Sequence, residues 1–132
     1  MTNAELQSAE PPKAERTHTV LIVEDEEDLR ELMRDALEMR GYKVVTAVEG
    51  ADALRRLDEI GRPCIVFLDL LMPGMNGWDF FEKFRERAEL TTVPVIVHSS
   101  ASSRAPAGVT RVLQKPLTFE RLLAIVAEYC DA

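Results

Sequence analysis

The fold is decided between residues 64 and 77, which read CIVFLDLLMPGMNG. Residues 64–68 are apolar throughout, which is typical of a strand buried on both faces of a parallel sheet. The acid Asp69 follows this run directly, and Pro73 and Gly74 then mark a turn. Ligands of open α/β sheets bind beyond the carboxyl ends of the strands, so Asp69 is the first candidate for a functional residue.

Four further apolar runs of strand length lie around this segment, at Thr19–Val23, Tyr42–Ala47, Val95–His98 and Thr110–Leu113. Stripes with helical spacing separate most of them, within residues 29–37, 53–60, 80–84 and 119–130. Thr118 is placed to cap the last of these helices. The alternation predicts an α/β fold, a doubly wound five-stranded parallel sheet with right-handed crossovers.

One unit of this alternation is incomplete. Between Ser100 and Val109 the chain has no apolar stripe, and it contains Pro106 and Gly108, which disfavour a helix. The pattern predicts a loop or at most one helical turn there. The fourth helix of the fold is therefore expected to be reduced or absent.

Composition limits the functions that are open to the chain. Its 132 residues suit one domain, and 16 basic against 23 acidic residues give a net charge of −7. This balance argues against nonspecific binding to nucleic acid or membranes. Residues 1–17 lack periodicity and are predicted to be a flexible tail before a domain at residues 18–132. Without a secretory signal or a membrane span, and with Cys64 and Cys130 expected as reduced thiols, a cytoplasmic location is predicted.

Polar side chains capable of chemistry follow four of the five strands. Glu24 and Asp25 follow the first, Asp69 the third, Ser99 the fourth and Lys115 the fifth. Three carboxylates at one sheet edge would repel one another, and a divalent cation such as Mg²⁺, which prefers oxygen ligands, resolves that conflict. A metal, an ammonium, a hydroxyl and a carboxylate suit phosphoryl transfer to the carboxylate.

At these residues the sequence resembles the receiver domain of two-component response regulators, the CheY-like family. Residues 69–77 are similar to the family's phosphoacceptor loop, residues 23–25 to its acidic pair, and Lys115-Pro116 to its lysine–proline pair. The resemblance implies the strand order 2-1-3-4-5. It also implies that Asp69 is the phosphoacceptor, and that Asp25, Asp69 and the Leu71 carbonyl bind Mg²⁺, with Glu24 acting through water.

The same resemblance assigns the remaining site residues. Lys115 would contact the phosphoryl group, its bond to Pro116 would be cis, and Ser99 would be the switch hydroxyl. Val112 departs from the family because an aromatic residue is common at its position. The implied protein is a single-domain signalling module that catalyses only its own phosphorylation and dephosphorylation. Its partners would be a histidine kinase or phosphotransfer protein and an unidentified downstream protein, with no nucleic acid or membrane.

Two other functions remain open at this point. A binding module could keep the fold and signal without phosphorylation. The shortened fourth unit favours this function, and the intact site argues against it. A Mg²⁺-dependent phosphatase of the haloacid dehalogenase type would need Asp-x-Asp after the first strand. Glu24-Asp25-Glu26 stands there instead. His98 is expected to pack in the core, because consecutive strand residues point to opposite faces and His98 cannot pair with Ser99.

Overall fold

Five parallel strands form one sheet in the order β2-β1-β3-β4-β5, in a computed structural model that describes residues 19–100 and 104–131. The predicted tail at residues 1–17 lies outside the described residues. The strand order is the predicted one, and each strand begins within one residue of its predicted start. The strands are β1 (Thr19–Val23), β2 (Lys43–Ala47), β3 (Ile65–Leu68), β4 (Val95–His98) and β5 (Arg111–Leu113).

Three α-helices and one 3-10 turn connect these strands within the described residues, and a fourth α-helix follows β5. Side-chain caps explain where three of the helices begin. Thr118 accepts a hydrogen bond from the Arg121 N–H at 3.1 Å, Asn76 accepts one from the Asp79 N–H at 2.9 Å, and Glu49 accepts one from the Ala51 N–H at 2.9 Å. None of the described helices has the length and apolar character needed to cross a membrane. The helices are α1 (Glu27–Glu38), α2 (Gly50–Ile60), α3 (Gly77–Phe84) and α4 (Phe119–Cys130), and the turn is Ala88–Leu90.

The sheet is covered on both faces, as a doubly wound fold requires. Helices α2 and α3 pack on one face, where Leu57, Phe80 and Phe84 are buried. Helices α1 and α4 pack on the other face, through residues such as Leu37 and Val126. Because every strand is parallel, all five carboxyl ends lie at one edge of the sheet. This edge collects the candidate functional residues.

The connection between β4 and β5 contains no α-helix over the residues that the structure describes, in agreement with the prediction that the fourth helix is reduced or absent. Residues 104–110 contain no α-helix. Two side chains of the α3 region hold this loop: Trp78 Nε1 donates to the Arg104 carbonyl at 2.7 Å, and Arg85 Nη1 donates to the Ala107 carbonyl at 3.1 Å. The shortened unit is therefore bonded to the helix that follows Asp69.

The prediction that Cys64 and Cys130 are reduced is wrong in this structure, where they form a disulfide with Cα atoms 5.4 Å apart. Both residues are buried in the core layer beneath α1 and α4. Their separation of 66 residues gives no sequence signal for pairing. The fold brings them together because α4 ends beside the residue that precedes β3.

Candidate functional site

Three carboxylates meet at the carboxyl edge of the sheet. Glu24, Asp25 and Asp69 each offer an oxygen, and these oxygens all lie within 4.8 Å of one another. Neighbouring strands bring them together, because Val23 of β1 pairs with Leu68 of β3 and the acids follow directly. Glu24 is 2% exposed and Asp69 is 5% exposed, whereas Asp25 faces solvent. The predicted acidic set is thus assembled, with two members withdrawn from water.

Lys115 supplies the positive charge of this pocket. Its Nζ lies 2.9 Å from Glu24 Oε1 and 3.3 Å from Asp69 Oδ2. Burial lowers the pKa of Lys115. The hydrogen bond to Glu24 and the charges of Glu24 and Asp69 raise this pKa by more than burial lowers it, so the net shift is upward. The ammonium therefore stays protonated at neutral pH. The bond to Pro116 is cis, as the resemblance implied.

Burial makes the ionised form of Glu24 unfavourable. Burial raises the pKa of its carboxyl to about 7, and the charge of Asp69 adds to the increase, while contacts with Lys115 and the Glu26 N–H oppose it. The single ammonium of Lys115 does not balance the charge of three clustered carboxyl groups at neutral pH. A bound cation would supply the missing positive charge, and the carboxylate oxygens are hard ligands that fit Mg²⁺.

The segment after Asp69 folds back on itself, which explains its glycines. Asp69 Oδ1 accepts a hydrogen bond from the Leu71 N–H at 3.2 Å, and the Gly77 N–H donates to the Leu70 carbonyl at 3.0 Å. A Cβ on Gly77 would lie 2.6 Å from the Asp69 carbonyl oxygen and 2.7 Å from Leu70 Cα. Gly74 adopts a φ of +69°, which favours glycine. We call residues 69–77 the phosphoacceptor loop, after the loop of the receiver family that they resemble.

Ser99 lies directly after β4, which neighbours the strand that precedes Asp69. Leu68 of β3 pairs with Val97 of β4, so Ser99 and Asp69 emerge at the same edge of the sheet. Ser99 is 0% exposed, and its N–H donates to the Leu113 carbonyl at 3.2 Å. The structure places the predicted hydroxyl at the correct edge, and its switch role stays a prediction.

His98 is buried, as expected, but it is not a fully bonded core residue. It is 2% exposed, and its Nε2 has no hydrogen-bond partner among the described residues. Burial lowers its pKa to about 4, the Lys115 charge acts in the same direction, and the Asp69 charge opposes them. The imidazole is therefore neutral at pH 7 and does not add a second cation to the pocket.

Arg30 is a residue of the site that the sequence analysis missed. Its Nη1 donates to the carbonyls of Glu24 at 3.0 Å and Asp25 at 3.3 Å, and the Glu26 N–H donates to Glu24 Oε2 at 3.1 Å. These bonds fix the backbone that presents the two acids. The position of an arginine in the first turns of α1 was the only available signal, and it does not distinguish this role from an exposed charge.

Comparisons with known proteins agree with this geometry. The chemotaxis protein CheY4 of Vibrio cholerae superposes with a TM-score of 0.75 at 26% identity, covering 86% of this chain and 98% of that protein. The fold is thus the CheY-like receiver fold. The profile of the response regulator receiver domain matches residues 20–127, and the chain belongs to this family.

Curated relatives extend beyond the matched region. The sensory transduction protein RegX3 of Mycobacterium tuberculosis is 32% identical over 109 residues, covering 80% of this chain and 48% of the relative. The phosphate regulon transcriptional regulatory protein PhoB of Rhizobium meliloti is 31% identical over 113 residues, covering 81% and 49%. The chain spans about half the length of these relatives, and the match covers the receiver region.

Proposed function

We propose that Asp69 accepts a phosphoryl group from a histidine kinase or phosphotransfer protein. The observation that carries this proposal is Lys115, whose ammonium touches both Asp69 and Glu24 inside the acidic pocket. This arrangement leaves a carboxylate nucleophile beside a fixed cation at the open edge of the sheet. Membership of the receiver family supports the same assignment.

The reaction needs a nucleophile and a means of balancing charge. A carboxylate oxygen of Asp69 attacks phosphorus, an O–P bond forms, and the P–N bond to the donor histidine breaks. The imidazole nitrogen keeps the electron pair of that bond. Lys115 stabilises the phosphoryl oxygens through its ammonium, and Ser99 is proposed to donate a hydrogen bond to one of them. Hydrolysis of the acyl phosphate by water returns the free Asp69.

Asp25 and Asp69 would hold Mg²⁺ directly, together with the carbonyl of Leu71, and Glu24 would act through water. When bound, the metal supplies positive charge that offsets the phosphoryl oxygens. The clustered oxygens and the raised pKa of Glu24 support this ligand set. Arg30 keeps the Glu24 and Asp25 backbone in place for that purpose.

The signalling role follows from the same assignment. We propose that the domain at residues 18–132, once phosphorylated, acts through contact with another protein. This contact and the phosphorylation by a kinase are proposed to take place in the cytoplasm. The protein would catalyse only its own phosphorylation and dephosphorylation. Val112 of β5 is 44% exposed. The contact surface is proposed to lie near this strand.

Replacing Asp69 by asparagine tests the proposal directly. The wild-type protein, incubated with acetyl phosphate and Mg²⁺, is expected to gain one phosphoryl group by intact mass, and Asp69→Asn is expected to gain none because the nucleophile is gone. Asp79→Asn is the matched control, since Asp79 is an exposed acid on α3. This variant should be labelled like the wild type.

Other outcomes of that experiment identify the two alternatives. A wild-type protein that binds Mg²⁺ but never gains a phosphoryl group would be a binding module that signals without phosphorylation. Continuous turnover of varied phosphomonoesters would indicate a phosphatase. Labelling that persists in Asp69→Asn would place the acceptor elsewhere and contradict the proposal.

Magnesium is expected to raise the melting temperature of the wild-type protein. Binding to the folded state alone stabilises it by about 1.4 kcal/mol when the free metal is ten times its dissociation constant. Thermal unfolding in millimolar MgCl₂ and in EDTA at equal ionic strength measures this effect. Asp25→Asn should lose most of the increase, and a wild-type melting temperature indifferent to Mg²⁺ would contradict the metal site.

A further inference from the structure

The start of α2 touches the phosphoacceptor loop through one side chain. Glu49 caps α2, and its Oε1 accepts a hydrogen bond from the Ala51 N–H at 2.9 Å. The same oxygen accepts a second hydrogen bond from the Met75 N–H at 3.1 Å, across 26 residues of sequence. One carboxylate oxygen therefore joins the helix terminus to the middle of the loop.

A backbone contact lies directly beside this bond. The Gly50 N–H donates to the Met75 carbonyl at 2.8 Å, so both polar backbone groups of Met75 are bonded to consecutive residues. A Cβ on Gly50 would lie 2.6 Å from Met75 Cγ and 2.8 Å from the Met75 oxygen. Only glycine permits this approach without a shift. We call the hydrogen bonds from Met75 to Glu49 and Gly50 the Met75 contact.

The Met75 contact restrains the middle of the phosphoacceptor loop. The two ends of the loop are closed by the bond between Gly77 and Leu70. Met75 lies between that closure and the Leu71 carbonyl, which belongs to the proposed Mg²⁺ ligand set. A loop released at Met75 would hold the Leu71 carbonyl less firmly relative to Asp25.

We propose that Glu49 is a positioning residue for phosphoryl acceptance. It holds Met75, and through Met75 it positions the part of the phosphoacceptor loop that carries the proposed Mg²⁺ ligands. The inference rests on the proposed function of Asp69. Glu49 itself touches neither the phosphoryl group nor the metal. Its carboxylate acts on the loop backbone, so its loss changes how well the loop presents its ligands.

A purely structural role would give a different result, because loss of a helix cap destabilises the protein without affecting the loop. Asp52 provides the matched control. Its Oδ2 accepts a hydrogen bond from the Val48 N–H at 3.0 Å at the same helix terminus, and no hydrogen bond joins it to residues 69–77 among the described residues. Asp52→Ala therefore weakens the start of α2 and leaves the Met75 contact in place.

The experiment compares Glu49→Ala, Glu49→Asp, Glu49→Gln and Asp52→Ala with the wild type. Calorimetric titration gives the Mg²⁺ dissociation constant, intact mass gives the rate of labelling by acetyl phosphate, and hydrogen exchange reports the Met75 amide. We expect Glu49→Ala to raise the Mg²⁺ dissociation constant about tenfold, as loss of outer-shell support for a metal site does. Labelling at limiting Mg²⁺ should slow by the same factor, and the Met75 amide should exchange faster.

The two conservative variants separate the cap from the positioning role. Glu49→Asp keeps a good helix cap but is one methylene shorter, so it should fold normally and still show the weaker Mg²⁺ binding. Glu49→Gln keeps an oxygen acceptor of full length and should retain wild-type values. If Glu49→Ala does not fold, Glu49→Asp decides the question.

The inference is overturned if Glu49→Asp binds Mg²⁺ and is labelled like the wild type, or if Asp52→Ala shows the same loss. Either result would leave the proposed function intact, because the wild type would still be labelled on Asp69. A wild type that is never labelled would overturn both proposals. These outcomes are distinguishable in one set of measurements.

Discussion

Lys115→Met is expected to destabilise the metal-free protein by about 3 kcal/mol at pH 8, the magnitude typical of removing one partner from a buried ion pair. The substitution leaves Glu24 and Asp69, both nearly inaccessible to water, without the ammonium that touches them. Methionine has a similar length, so little packing is lost. Chemical denaturation in EDTA measures the difference.

The size of this effect should depend on pH in a defined direction. A carboxyl whose pKa is raised by folding destabilises the folded state once it is ionised, because the unfolded chain releases the proton more easily. For Glu24 this pH range extends from its ordinary pKa of 4.5 to its pKa of about 7 in the folded protein. The wild type should lose stability as the pH rises through this range. Without Lys115 the pKa of Glu24 rises further, so the loss continues above pH 7. The variant should therefore differ less from the wild type at pH 5 than at pH 8.

Magnesium distinguishes this explanation from a packing defect. If the missing charge causes the loss, Mg²⁺ should restore part of the stability of Lys115→Met at pH 8, while labelling by acetyl phosphate stays slow. Lys83→Met is the control, since Lys83 is exposed in the last turn of α3. A Lys115→Met protein as stable as the wild type in EDTA at pH 8 would contradict the electrostatic account.

The elements of this fold were predictable because their signals are local. A strand buried on both faces must be apolar throughout, and this requirement located β1 and β4 with their observed bounds. Helix signals were nearly as informative, as the Thr118 cap shows. The reduced fourth unit was predictable for the converse reason, since Pro106 and Gly108 oppose a helix in a segment that has no apolar stripe.

The chemical set was predictable from topology rather than from local pattern. Residues that follow parallel strands share one edge, so Asp69 and Lys115 could be expected to meet although 46 residues separate them. Contacts that depend on the length and orientation of a side chain could not be predicted from topology. Arg30 and Glu49 look like ordinary helix-terminal charges in the sequence, and only their hydrogen bonds to Glu24 and Met75 identify them.

The disulfide belongs to the same class of unpredicted contacts and leads to the second large expected effect. Reduction of Cys64–Cys130 is expected to lower the stability by about 4 kcal/mol, since opening a loop of 66 residues restores that much entropy to the unfolded chain. For a domain of this size the melting temperature should fall by roughly 10–20 °C. Thermal unfolding with and without dithiothreitol measures the change.

The double variant Cys64→Ala/Cys130→Ala separates loss of the bond from side effects of the reductant. It should melt near the temperature of the reduced wild type and should not respond to dithiothreitol. Alkylation of the unfolded, unreduced protein should modify neither cysteine. Two alkylated cysteines in aerobically purified protein would contradict the disulfide and support the expectation of free thiols. An unchanged melting temperature on reduction would instead show that packing of α4 against β3, rather than the covalent bond, holds this corner of the fold.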